Sequence, residues 1–322
     1  MKKEQETKVG KSRIVDVSII TVSNNDFEET CQMIESFQRH IHSVTFEIIV
    51  VDNAPVKNDI SVFHKKYPLV RILHGNEKSN FACGYNLGAT ISNGNYLFFV
   101  NNYTCVKDNS LHYLVERMEA DNSIGGVCPM LRYTDENALI QFAGFSPLTR
   151  YTLQNKCIGH REEVDKAFLQ PMEIPYLHGA AMMVKREVYE RTGGIPTMYS
   201  LYFEEWDWSL SIQSCGYKLW YEPQCIIYHA KSRGERLPSE LKVYYRTRNR
   251  FLFAYRNRTK CERIISHLYL LCGALPKECL DYLMQKEYHL IRASVSGVWD
   301  YLKMKKKEKI TDYDFHFSYS VS

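Results

Sequence analysis

The stretch YLFFVNNYT, residues 96–104, decides how the rest of the chain is read. Tyr96, Leu97, Phe98, Phe99 and Val100 make an apolar run of strand length, continuous enough that both faces of the strand should be covered. A doubly covered strand belongs to an α/β sheet, and such sheets hold ligands at their carboxyl ends. At that end stand Asn101, Asn102 and Tyr103, two amides and a phenol with no carboxylate.

Outward from this strand the first half alternates. DVSIITV (16–22), FEIIVVDN (46–53) and VRILHG (70–75) read as further strands, and IGGVCPML (124–131) as a fifth. Between them lie a helix over 25–41 with Cys31, Ile34, Phe37 and Ile41 on one face, a short one over 59–67 stopped by Pro68, and one over 82–91. Asn25 and Glu28 have the spacing of a capping box. This alternation implies a mostly parallel, Rossmann-like sheet with right-handed crossovers and helices on both faces. From about Leu131 to Pro175 it lapses into short strands and loops. YKLWYEP and CIIYHA then read as two strands, and beyond Pro238 the chain reads as helices to about Lys309. The expected division is a flexible lead-in over 1–13, a domain over 14–236 whose halves meet near 130, and a helical extension over 237–322.

The chain has 322 residues, 45% hydrophobic and 24% charged, as in globular proteins. The net charge of +4 is too small to argue for nucleic acid, but its distribution is uneven. Ten Lys or Arg face two Glu between Lys231 and Lys260, and KMKKKEK (303–309) is a second cluster. These read as solvated helix faces or as a surface that meets phosphate or anionic lipid. YYRTRNRFLFAYRNR (244–258) interleaves aromatics with Arg as single-strand binders do. The spacing of Leu241, Tyr244, Phe251 and Tyr255 fits a packed helix better, so nucleic acid is not an expected partner. The ten cysteines stand singly without a C-x-x-C pair, which suits a reducing compartment. The N-terminus lacks the apolar core of a signal peptide, and the longest apolar run, LYLLCGAL (268–275), is far short of a membrane span. Localisation is expected to be cytoplasmic, with at most peripheral contact with the inner face of the cell membrane.

Candidate chemistry clusters at strand ends. Asn24, Asn25 and Asp26 follow the first strand and Asp52 ends the second, where amides and carboxylates accept from a base or ribose, or simply cap and turn. Gly84 and Gly88 flank Asn86 at a spacing that lets a helix approach the sheet closely. LYFEEWDWSLSIQSCG (201–216) puts Glu204, Glu205 and Asp207 in a first helical turn, where the dipole should keep a carboxylate ionised for general-base work. His229 leaves a strand beside Lys231, Ser232 and Arg233, a setting for a metal ligand or a diphosphate contact.

Taken together and in order, these motifs resemble family 2 of the inverting glycosyltransferases, which have the GT-A fold. The resemblance runs from about Val17 to Arg258. It is closest in HGAAMMVKREVYERTGG, LYFEEWDWSL, CGYKLWYEP, YHAKS and YYRTRNR, which are similar to the rhamnosyltransferase-like bacterial subgroup of surface polysaccharide assembly. The resemblance implies a nucleoside-diphosphate-sugar donor, held by Thr21, Ser23, Asn24, Asp52, Asn86, Asn101 and Asn102, and a glycan or lipid-linked acceptor. It implies Glu205, with Glu204 and Asp207, as the catalytic acids. His178 and Gly179 match the acceptor-side segment, Lys231 and Arg233 stand by the diphosphate, and His229 and Asn101 match positions near a divalent cation, Mg²⁺ or Mn²⁺. Three positions depart from the family pattern. Tyr103 replaces the metal-binding acid, Pro196 an acid after the glycine pair, and Ser211 an Arg. These departures leave open a transferase fold that binds without turnover.

Overall fold

The computed structural model describes residues 15–24, 26–53, 63, 65–75, 80–134, 138–230 and 239–306. Strand β1 (Val17–Ser23) is buried throughout, and helix α1 (Phe27–His40) covers one face of the sheet with Cys31, Met33, Ile34 and Phe37. Its N-cap is Asp26, which makes no side-chain cap bond; the expected capping residue, Asn25, lies outside the described residues. β2 (Phe46–Asp52) and β3 (Arg71–His74) pair in parallel outward from β1. Helix α2 (Phe81–Ile91), capped by the Asn80 side chain on Cys83 N–H at 2.8 Å, lies against β1. A Cβ at Gly84 would stand 2.7 Å from Val22 Cγ2, and one at Gly88 2.5 Å from Ile20 Cγ2, so the two glycines set how closely this helix rides.

β4 (Tyr96–Val100) pairs with the other side of β1, in parallel. Its alternating side chains bind the two layers together. Phe98 meets Phe37 of α1 at 6.2 Å, while Phe99 on the opposite face meets Tyr85 and Trp208 edge-on at 5.4 and 5.7 Å. After β5 (Thr104–Cys105) and α3 (His112–Ala120), β6 (Ile124–Tyr133) pairs with the three-residue β7 (Ile140–Phe142). β8 (Met172–Glu173), β9 (Ala181–Lys185), α4 (Arg186–Thr192), α5 (Glu204–Ser214) and β10 (Lys218–His229) follow.

The sheet order is β3-β2-β1-β4-β9-β6-β10-β5. The expected parallel order holds from β3 to β4. β9 then runs against both β4 and β6, so the second half of the sheet is mixed. This reversal puts the start of β9 at the same edge as the ends of β1, β4 and β10. The two strands expected over 217–230 are one strand, interrupted between Glu222 and Ile226 where its register against β6 slips. Pro223 has no N–H to give the ladder, and the bulge absorbs it.

The C-terminal helices are α6 (Ser239–Asn257), α7 (Lys260–Tyr269), a π turn at Leu270–Ala274, α8 (Leu275–Met284) and α9 (Tyr288–Lys306). They share a second core with the segments before them, in which Phe251, Phe253 and Tyr301 cluster with Tyr199 and Phe203. The arginines expected at a basic surface are largely spent here. Arg250 pairs with Glu278, Arg256 with Asp207, and Arg258 bonds the carbonyl of Arg150.

Candidate active site

At the carboxyl edge of the sheet a cavity of about 450 Å³ opens, within the range of small-molecule sites. Asn24 and Asn101 enter it from the ends of β1 and β4, His178 and Gly179 from the turn before β9, His229 from the end of β10, and Glu204 and Glu205 from the start of α5. Backbone bonds hold the strand ends together: Asn101 N–H donates to Ala180 O at 2.9 Å and Ala230 N–H to Tyr103 O at 3.0 Å. A Cβ at Gly179 would lie 3.8 Å from Glu205 Cδ, so the His178-Gly179 turn faces the carboxyl closely.

The seat of the glutamates is strained. Ser200, Tyr202 and Phe203 have φ of 66°, 67° and 77°, a left-handed region that costs L-residues roughly 1–3 kcal/mol each. Helix α6 holds this loop. Arg248 Nη2 donates to Met198 O and Tyr199 O at 3.0 and 2.5 Å, and the fully buried Asn249 Nδ2 reaches Tyr199 O, Leu201 O and Tyr202 O at 2.6–3.0 Å. From below, Trp208 donates to Thr192 Oγ1 at 2.9 Å. Ser209 Oγ accepts from Leu177 N–H at 2.9 Å and donates to Glu205 O at 2.5 Å, joining the helix to the approach to β9.

Burial pushes the carboxyl pKa of both Glu204 and Glu205 well above the ordinary range, and for Glu204 the charge of Glu205 adds to it. The amides of the first helical turn pull the other way and are outweighed. The helix dipole, expected to keep these acids ionised, is outweighed by desolvation, and a proton-accepting carboxylate of raised basicity results. Burial also pulls the imidazoles down, His178 to about 3 and His229 to about 4, so both are neutral near pH 7. His178 stacks on Phe145 at 5.6 Å and accepts from Ala180 N–H at 3.1 Å through Nδ1. His229 Nδ1 lies 2.8 Å from Gln141 Oε1, which can only accept, so that nitrogen carries the proton and Nε2 offers its lone pair 3.4 Å from Asn101 Nδ2.

The expected nucleotide residues reach this edge unequally. Thr21, Ser23 and Asp52 are buried beneath it, and among the described residues only Asn24 and Asn101 of that set line the cavity. Asn86 and Asn102 are clamps. Asn86 is 1% exposed and bonds both N–H and C=O of Ile195 and the Tyr189 hydroxyl, while Asn102 donates to Thr30 Oγ1 at 3.1 Å. Asp207, expected among the catalytic acids, faces away and binds Arg256 Nε at 2.6 Å and Asn257 Nδ2 at 3.0 Å. Lys231 and Arg233 lie outside the described residues. Gln141, Tyr85 and Tyr202 line the cavity without a sequence signal, since only tertiary pairing carries them there.

The donor set does not fit a resident Mg²⁺ or Mn²⁺, which take oxygen ligands, preferably carboxylate. Asn101 Oδ1 already accepts from the Tyr85 hydroxyl at 2.9 Å, and the Tyr103 hydroxyl donates to the Asp26 carboxylate. Among the described residues no three His, Cys, Asp or Glu side chains converge as metal ligands.

The family model described as glycosyl transferase family 2 matches residues 18–193. A comparison with curated proteins finds no match. Among solved structures, GalNAc-T7 in complex with UDP, GalNAc and Mn²⁺ is similar with a TM-score of 0.56 at 16% identity, over 75% of this chain and 51% of its own, so the chain spans about half the length of that relative. The mannosyltransferase PcManGT from Pyrobaculum calidifontis, in complex with GDP-Man and Mn²⁺, is similar with a TM-score of 0.54 at 17% identity, over 90% of this chain and 88% of its own. With more than half of its length matched and its sheet built as in these GT-A enzymes, the chain belongs to glycosyl transferase family 2.

Proposed function

We propose that this chain transfers a sugar from a nucleoside-diphosphate donor to a hydroxyl of a glycan or lipid-linked acceptor, with inversion, in bacterial surface polysaccharide assembly. The observation that carries the reading is the Glu204–Glu205 pair, raised in proton affinity, across a cavity from the strand ends. Both similar structures hold a nucleotide or nucleotide-sugar, which supports a donor of that class. Glu205 takes the proton of the acceptor hydroxyl as its oxygen bonds the anomeric carbon. The bond from that carbon to the diphosphate breaks on the opposite face, and the diphosphate leaves with the electron pair. No Lys or Arg among the described residues lines the cavity, so Lys231 and Arg233, two and four residues after His229, are our candidates for balancing the leaving charge.

Thermal unfolding with UDP, GDP and dTDP, each with Mn²⁺ or with EDTA, tests the donor reading. At least one nucleotide should raise Tm by several degrees at concentrations far above its Kd, and EDTA should leave most of that rise. No rise with any of them overturns the reading, and complete loss in EDTA overturns the metal-independent form. The Tyr103–Asp26 contact, where the family carries a metal-binding acid, favours a second reading: a binder without turnover. Nucleotide binding with neither donor hydrolysis nor transfer selects it.

We further propose that the helical extension rests on the inner, anionic face of the cell membrane. Three of its helical segments expose apolar residues at helical spacing: Ile264, Leu268 and Leu271; Leu280, Leu283 and Met284; Val295, Trp299 and Leu302. Lys303 and Lys305 adjoin the last stripe. Among the described residues no helix is long and apolar enough to cross a membrane. Flotation should recover the protein with vesicles containing phosphatidylglycerol and much less with phosphatidylcholine alone. Equal recovery ends the anionic-lipid reading, and none with either ends the membrane reading.

A further inference from the structure

A second cavity, of about 490 Å³, lies on the other side of Glu205. The carboxylate expected to take the acceptor's proton is shared by both cavities, as is Tyr202. Loop residues 153–155 form one wall, the start of α5 with Phe203 and Trp206 another, and Arg246 and Arg250 of α6 with Glu278 of α8 the third. The C-terminal helices thus help build this cavity and contribute nothing to the lining of the first.

Its chemistry is that of a sugar site with a cation at the rim. The Trp206 ring is set by edge contacts to Phe203 at 5.0 Å and Phe145 at 5.7 Å, offering the flat apolar surface on which a sugar ring packs. Trp206 Nε1 and Asn155 Nδ2 have no hydrogen-bond partner among the described residues, but both atoms are closed off from solvent, so it is the Trp206 ring and not its N–H that the cavity presents. The charges do not cancel. Arg250 is paired with Glu278 at 3.2 Å and bonds Thr152 O at 3.1 Å, while burial lifts the proton affinity of Glu205. Arg246 is exposed and has no hydrogen bond or ion pair with the described residues.

We propose that this cavity receives the acceptor, and that the acceptor carries an anionic group, a carboxylate or a phosphate, bound by Arg246. The proposal rests on the glycosyltransferase reading above. The donor side and the acceptor side then meet at one carboxylate, which is where an acceptor hydroxyl must surrender its proton.

The test is ligand-observed NMR titration of the full chain with three probes: octyl glucoside, octyl glucuronide and glucose 1-phosphate. Arg246→Ala and Arg246→Lys are compared with the wild type, and fold is checked by thermal unfolding. One or both charged probes should bind roughly tenfold tighter than the neutral one, as a charge-assisted hydrogen bond implies. The probe that does so tells a sugar carboxylate from a phosphate. Arg246→Ala should abolish the preference and leave nucleotide binding intact, and Arg246→Lys should keep part of it. Equal binding of all three probes, or a preference that survives Arg246→Ala, overturns the proposal. Failure of every nucleoside diphosphate to stabilise the wild type removes the donor reading instead, whatever the charged probes do.

Discussion

Replacing Glu205 with Gln should lower the rate of sugar transfer by about 10²–10⁴-fold, the usual contribution of a positioned general base, while nucleotide binding stays near the wild-type value. The amide keeps the shape of the side chain and its place beside the Gly179 turn but cannot accept the proton. The pH profile gives a second readout of the same group. Burial raises the Glu205 pKa, and only the deprotonated form works. Transfer should therefore rise with pH through a midpoint above the ordinary glutamate value of about 4.3. Stability moves the opposite way. A folded-state pKa above the unfolded one means that the native chain holds the proton more tightly. The stability this confers is complete below the ordinary glutamate pKa and is lost as pH rises through the raised one. Steady-state rates across pH, with urea unfolding of both proteins, check all three expectations. Turnover by Glu205→Gln at the wild-type rate would remove Glu205 from the mechanism.

Asp207→Ala should destabilise the fold by about 3–5 kcal/mol, the cost of leaving one member of a buried ion pair alone. The Asp207 and Arg256 side chains are 2% and 10% exposed, with Asn257 on the other carboxylate oxygen. The pair ties α5 to α6, so its loss should also loosen the glutamates at the start of α5. Pairing the change with Arg256→Met should recover much of the stability, because no charge is then stranded. Urea denaturation of the four proteins of the cycle measures this. A catalytic role for Asp207 makes the opposite forecast: turnover lost in Asp207→Asn with unchanged stability.

Asp207, Asn86 and Asn102 show why site residues were only partly legible. Asp207 stands in a first helical turn, Asn102 follows a strand end and Asn86 lies midway along α2 facing the sheet, places where ligand contacts and internal clamps require the same side chains. Which use prevails depends on what lies across the gap, and the Ile195 turn and Arg256 come from 109 and 49 residues away. The arginines of 246–258 misled in the same way. A count of charge reads as a surface, yet most of these groups face acids or backbone carbonyls of other segments. The glutamate pair stood out because YFEEWDW combines acids and aromatics without a break, and the structure places both carboxyls at the cavity.

The alternation of apolar runs and amphipathic helices was enough by itself to determine a parallel α/β half-sheet and the carboxyl edge at which the cavity opens, since those periodicities arise from residue-local geometry. YLFFVNNYT carried that information: Phe98 and Phe99 face opposite layers and Asn101 reaches the cavity. The tertiary structure alone decided that β9 runs against its neighbours and brings His178 and Gly179 to the same edge. It also decided that a left-handed loop, held by Arg248 and Asn249, presents Glu205 between two cavities. A strained backbone persists only where distant groups satisfy its carbonyls, and no local pattern records groups nearly fifty residues away.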